Sequence, residues 1–141
     1  KSYSGYIDYK GKEKSSVPDL VIVDKWNRFN LKGVKFYSVV EVKPPVGKYR
    51  IHDKEKLDEG ILTQLEANTG SEMNNKVILT DTLKWSFYVE GESGLELMKT
   101  FNLCNECDSH KREIVWKGQD IFKKLKKFIE IFIHKEMMKS Q

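Results

Sequence analysis

Phe36-Tyr37-Ser38-Val39-Val40-Glu41-Val42-Lys43-Pro44-Pro45 decides how this chain is read: an apolar run that ends in two charged residues two apart and is stopped by paired prolines. Proline has no N–H to give a sheet ladder, so Pro44-Pro45 closes the strand firmly. Side chains along a strand alternate with period two, which puts Glu41 and Lys43 on one face, with Val40 and Val42 expected to face the core. Upstream, Pro18-Asp19-Leu20-Val21-Ile22-Val23 places proline where a strand begins and an acid just ahead of the buried residues. Asp24 to Asn30 is rich in turn formers, so the two runs are expected to pair antiparallel. Neighbouring strands lie roughly 5 Å apart, close enough for Asp19 and Glu41 to share one ion.

These residue types suit one chemistry. Hydrolysing a phosphodiester needs positive charge on the phosphoryl oxygens and a hydroxide at neutral pH. Hard oxygen ligands such as Asp19 and Glu41 select Mg²⁺ or Mn²⁺, which supply both. Lys43 is placed to orient or help deprotonate the attacking water, and the Val42 carbonyl, lying between Glu41 and Lys43, is a candidate third ligand. Polar residues at strand ends are also ordinary surface chemistry, and an E-x-K triplet arises by chance, so the rest of the chain has to bear on the choice.

The 141 residues are enough for one domain with a two-layer core, and the whole chain, 1–141, reads as that domain. Charged residues make up 33% and the formal net charge is +4, which favours a polyanionic partner without the strong excess of dedicated nucleic-acid binders. No apolar run approaches the roughly eighteen residues of a membrane span and no charged-then-apolar leader opens the chain, so an intracellular domain is expected. Beginning at Lys1, it reads as a domain excised from a larger protein. Cys104-x-x-Cys107 with His110 lacks a fourth ligand at metal spacing, and the segment is read as a reduced polar loop rather than a zinc site.

Further elements follow from periodicity. Ser4 to Lys10 alternates weakly as a short strand, followed by a loop over Gly11 to Ser16. Leu57, Ile61, Leu62 and Leu65 fall at helical spacing after a cap at Asp53 or Asp58, with Asn68-Thr69-Gly70 ending the helix. Lys76 to Thr80 is a compact buried strand, Trp85 to Val89 alternates after a turn at Asp81-Thr82, and a further strand is expected from Leu95 to Phe101 across the cysteine loop to the stretch Lys111 to Val115. From Gly118 a helix carries the stripe Ile121, Phe122, Leu125, Phe128, Ile129, Phe132 and Ile133, with Lys123, Lys124, Lys126 and Lys127 opposite. Trp85, Phe87 and Tyr88 are read as core and sheet packing. The class is α/β: a mixed sheet flanked by helices.

Pro18-Asp19 with Glu41-Val42-Lys43, the helix Gly60-Ile61-Leu62-Thr63-Gln64-Leu65, and the strand pair Val77 to Tyr88 occur together in an order that resembles the PD-(D/E)xK nucleases of the restriction-endonuclease-like fold. The closest flavour is that of type I restriction subunit N-terminal domains and RecB-like nucleases, whose strand pair reads roughly "gvLTDG..W.fY". The resemblance spans Pro18 to Val89. It implies a restriction-endonuclease-like sheet in which Asp19 and Glu41 bind metal, Lys43 assists the water, and Gln64 reaches the phosphate or the metal–water network. Asn68 stands where the RecB-like tyrosine is expected, and Asp8 and Glu13 are the only acids in the stretch where the family places an extra helix.

The expected function is therefore a Mg²⁺- or Mn²⁺-dependent nuclease acting on DNA or RNA, with Lys10, Lys12, Lys14, Lys48 and Arg50 as phosphate contacts around the carboxylates. Backbone contacts of that kind carry no sequence information. The alternative is a nuclease-fold module without the chemistry, binding nucleic acid or a protein partner. The C-terminal helix is expected to cover one face of the sheet, with membrane-surface binding, helix docking or a homodimer contact as its alternatives.

Overall fold

The computed structural model describes residues 5–7, 13–15, 17–26, 33–51, 56–69, 74–108 and 113–134, with 5–7, 13–15 and 106–108 described by backbone alone. Asp19 leads directly into β3 (Leu20–Val23), which pairs antiparallel with β4 (Phe36–Val42), as the turn-rich connection requires. β4 then pairs parallel with β5 (Lys76–Thr80), and the crossover between them is α1 (Glu59–Thr69). β6 (Lys84–Gly91) and β7 (Gly94–Asn102) extend the sheet antiparallel, giving the order β3-β4-β5-β6-β7. The sheet is thus mixed, with the parallel β4–β5 pair inside it, and the fold is α/β.

Before β3, β1 (Gly5–Ile7) and β2 (Glu13–Ser15) form a separate antiparallel pair, so elements described ahead of Pro18 are strands; Glu13–Ser15, expected within a loop, is corrected to a strand because β1 supplies its ladder partners. β8 (Cys104–Asp108) pairs antiparallel with β9 (Glu113–Trp116). The polar loop expected at the cysteines is corrected here: Cys104-x-x-Cys107 lies on a strand, and it does so because β9 supplies the ladder partners that its own polar sequence does not advertise. Cys104 is a free, half-buried thiol, while His110 lies outside the described residues.

Helices cover both faces. α2 (Gln119–His134) packs on the face carrying Val40, Ile78 and Phe87, burying Leu125 and Phe132. Phe87, Phe101, Phe128 and Phe132 meet there mostly edge-on, with Phe87 and Phe132 centroids 5.1 Å apart. α1 covers the opposite face, where Ile61 and Leu65 pack on Val39, Val77 and Leu79. Asp58 caps α1: its Oδ1 accepts from the Gly60 N–H at 2.9 Å. Lys76, buried on β5, donates from Nζ to the Phe132 carbonyl at 2.5 Å, satisfying an orphan acceptor in the last turn of α2 where a cation is also favoured by the helix dipole.

The α2 stripe is therefore core rather than a free amphipathic face, with one correction: Phe122 is 53% exposed. Leu62, expected on the apolar side of α1, is likewise exposed. Trp85, Phe87 and Tyr88 pack as expected, Phe87 fully buried and the other two half-buried. No helix among the described residues is long and apolar enough to cross a membrane.

Candidate active site

The site is built at the carboxyl end of β4, where the strand order places β3 on one side and β5 on the other. Lys43 N–H donates to the Thr80 carbonyl at 2.9 Å, continuing the β4–β5 ladder one residue past the strand. Because backbone groups alternate along a strand, Val42 directs its N–H and carbonyl the other way, toward β3. There the Val42 N–H donates to Asp19 Oδ2 at 2.8 Å. The carboxylate of Asp19 thus does what a ladder carbonyl would do, and this holds it against the Val42–Lys43 segment.

Glu41 lies on the face under α1 together with Val39, and its side chain is fully buried. Both faces of this strand are covered, which corrects the expectation that only the Val40 and Val42 face meets core. Val40 is buried, whereas Val42, at the sheet's end, is 41% exposed. Asn68 on α1 donates from Nδ2 to Glu41 Oε1 at 2.6 Å. The second oxygen, Oε2, is buried with no hydrogen-bond partner among the described residues. Burial pushes the Glu41 carboxyl up to about 7; the Asn68 hydrogen bond opposes this, the neighbouring Asp19 carboxylate adds to it by charge, Lys43 opposes it by charge, and a hydrogen bond that the protonated form can share with Asp19 raises it further. An orphaned buried carboxylate oxygen facing a second acid takes either a proton or a cation.

Lys43 and Gln64 form the other half of the site. Lys43 Nζ donates to Gln64 Oε1 at 2.6 Å, both side chains half-buried. A neutral amide holds the ammonium in place without cancelling its charge, so Lys43 can still act on an anion or a water. Gln64 and Asn68 are one helical turn apart on α1 and therefore reach the same sheet end. Sequence reasoning notes Asn68 as the residue standing where the RecB-like tyrosine is expected and gives it no role in the site. Its spacing of four from Gln64 is the available signal, but its role depends on Glu41 being buried, which no local pattern shows.

The expected phosphate contacts divide. Lys10 and Lys12 lie outside the described residues, and Lys14 is described only as backbone of β2. Lys48 and Arg50 lie on the loop that leaves β4, at the site's end of the sheet. Lys48 is exposed with Nζ 5.4 Å from the Tyr49 ring centroid, and Arg50 Nη1 donates to the Gly47 carbonyl at 2.8 Å, so its guanidinium is engaged in its own turn. Among the described residues no third acid, histidine or cysteine joins Asp19 and Glu41 in a metal-sized cluster.

On the neighbouring strand end, Asp81 Oδ1 accepts from the Leu83 and Lys84 N–H groups at 2.9 and 2.7 Å, fixing the β5–β6 turn. Thr82 in that turn has φ +77°, in the left-handed region. No family model matches this chain, and no curated protein or solved structure does either.

Proposed function

We propose that this chain is a metal-dependent nuclease of the restriction-endonuclease-like PD-(D/E)xK kind, hydrolysing phosphodiester bonds in DNA or RNA with Mg²⁺ or Mn²⁺. The observation that carries the proposal is the buried Glu41 Oε2, left without a hydrogen-bond partner among the described residues beside the carboxylate of Asp19. A fold that buries one carboxylate oxygen and orients the other through Asn68 has prepared a donor for a hard cation. The donors are all oxygen, as Mg²⁺ and Mn²⁺ prefer: Asp19, Glu41 and the Val42 carbonyl on the β3 side of the strand.

When bound, the metal supplies charge neutralisation at the phosphoryl oxygens and a hydroxide at neutral pH. The chain's own residues do the rest. Asn68 fixes the Glu41 carboxylate plane, the Val42 N–H fixes Asp19, and Gln64 fixes the Lys43 ammonium. Lys43 orients the attacking water and stabilises charge that builds on the phosphoryl group. Two further features support the fold assignment: the parallel β4–β5 pair with its α1 crossover carrying Gln64, and the turn at Thr82. That residue stands where the family's strand pair has glycine, and its backbone adopts the left-handed conformation glycine favours.

A second reading, a binding module that keeps the fold without the chemistry, is favoured by the metal-sized cluster stopping at two acids among the described residues. One experiment separates the two. The purified chain is incubated with labelled single- and double-stranded DNA and RNA, in Mn²⁺ or EDTA, beside Asp19→Ala and Lys43→Ala variants. Cleavage that needs metal and disappears in both variants is expected. No cleavage, together with no Mn²⁺ binding by calorimetry, leaves the binding module.

A further inference from the structure

Trp116 and Phe122 are 58% and 53% exposed, an unusual outlay of aromatic surface for residues that flank a buried core. They line one groove of about 790 Å³ between the end of β9 and the start of α2, with buried Leu103 beneath. Lys117, Lys123 and Lys126 line the same groove, and among the described residues no Asp or Glu does. Lys126 Nζ lies 5.9 Å from the Phe122 ring centroid, so charge and aromatic face are presented together.

We propose that this groove binds single-stranded nucleic acid, its bases stacked on Trp116 and Phe122 and its phosphates held by Lys117, Lys123 and Lys126. The choice of occupant follows from complementarity: a chain of exposed flat bases at regular spacing on a polyanionic backbone matches an all-cationic groove with accessible ring faces. A duplex, whose bases are stacked internally, uses the lysines and leaves the aromatic surface idle.

Placement ties the groove to the carboxylate site, and the link to cleavage rests on that nuclease reading. Thr82, in the turn after β5, also lines the groove, while Thr80 at the end of β5 lies opposite Val42 beside Asp19 and Glu41. Groove and carboxylates therefore occupy the same end of the sheet, the groove on the α2 face and Glu41 on the α1 face. A strand seated in the groove passes over the end of β5 to reach the carboxylates.

The test is fluorescence anisotropy of labelled oligothymidylate and oligouridylate, each about twelve nucleotides, against the full chain carrying Glu41→Gln in EDTA, where cleavage cannot interfere. Both oligonucleotides are expected to bind. Trp116→Ala and Phe122→Ala are each expected to weaken binding roughly tenfold, the effect of removing one base–aromatic stack. Lys117→Gln and Lys123→Gln should each flatten the dependence of log K on log salt by about 0.7, the slope that one neutralised phosphate of a single strand contributes. Circular dichroism confirms that each variant folds, as expected for exposed positions. Failure of both oligonucleotides to bind, or binding untouched by either aromatic substitution, overturns the proposal. So does a blunt duplex bound equally tightly without dependence on Trp116, or an acidic peptide that displaces the oligonucleotides. Groove binding without metal-dependent cleavage by the unsubstituted chain sinks the nuclease reading alone; cleavage with no aromatic dependence of affinity sinks the groove alone.

Discussion

Glu41 puts a testable proton at the centre of the site. Its folded value of about 7 stands above the ordinary 4.5, so folding favours the protonated form. The stability it contributes is fully present below about 4.5 and is lost as pH rises through about 7, on the order of 3 kcal/mol in all. Glu41→Gln keeps the shape and an acceptor for Asn68 but does not titrate. In metal-free protein its thermal midpoint should exceed that of the unsubstituted chain at about pH 8 and converge with it toward about pH 5, since only Glu41 then regains its proton. On the proposed metal reading a cation and a proton compete for the same oxygens, so Mn²⁺ affinity measured by calorimetry should fall about tenfold per pH unit below about pH 7. A pH-independent affinity would remove Glu41 from the proposed metal site. Asp19, Glu41 and Lys43 were legible as candidates because charged residues at the ends of apolar runs stand out, whereas Gln64 was singled out only through the family resemblance. The burial of Glu41 and the part played by Asn68 were not legible, since both arise only when α1 closes over that face of the sheet.

The elements show the same division between local and tertiary causes. β3 to β7 could be read from runs of Val, Ile, Leu and aromatic residues separated by turn formers, and α2 from its 3.6-residue stripe. β8 could not, because Cys104-Asn105-Glu106-Cys107-Asp108 has little strand propensity and is held by its partner β9. Phe122 repeats in phase with the stripe yet lines the groove beside Trp116, an outcome set by where α2 sits on the sheet. The β5–β6 turn carries a strain that sequence alone does not reveal: Thr82, β-branched, at φ +77°. Its backbone makes the turn's bonds, the N–H donating to Thr80 Oγ1 and the carbonyl accepting from Trp85 Nε1. Thr82→Gly therefore keeps both bonds and relieves the strain, and should stabilise the fold by about 1 kcal/mol, roughly 3–5 °C in Tm. Thr82→Ala retains a Cβ and should gain much less; equal gains in calorimetric Tm would locate the effect outside the backbone.

At the scale of the molecule, the sheet separates two cores. Phe132, fully buried and in contact with Phe87 and Phe128, anchors the α2 side, whereas the α1 side carries Gln64 and Asn68 toward Lys43 and Glu41. Truncating Phe132 to alanine removes the ring and leaves a cavity, at a cost of about 3–5 kcal/mol. That is a large part of the roughly 5–15 kcal/mol typical of a domain, so the chemical-denaturation midpoint should fall sharply. The fraction that remains folded at low temperature keeps β4, α1 and the donors they position. Its Mn²⁺ affinity, measured by calorimetry after confirming native circular dichroism, should therefore match that of the unsubstituted chain. Leu65→Ala makes the converse test: Leu65 is fully buried on α1, between Gln64 and Asn68 in sequence, so loosening it should weaken metal binding as well as stability. Equal loss of affinity in both variants would mean that the two faces are coupled through the sheet, and that α2 helps position the carboxylates as well as closing the core.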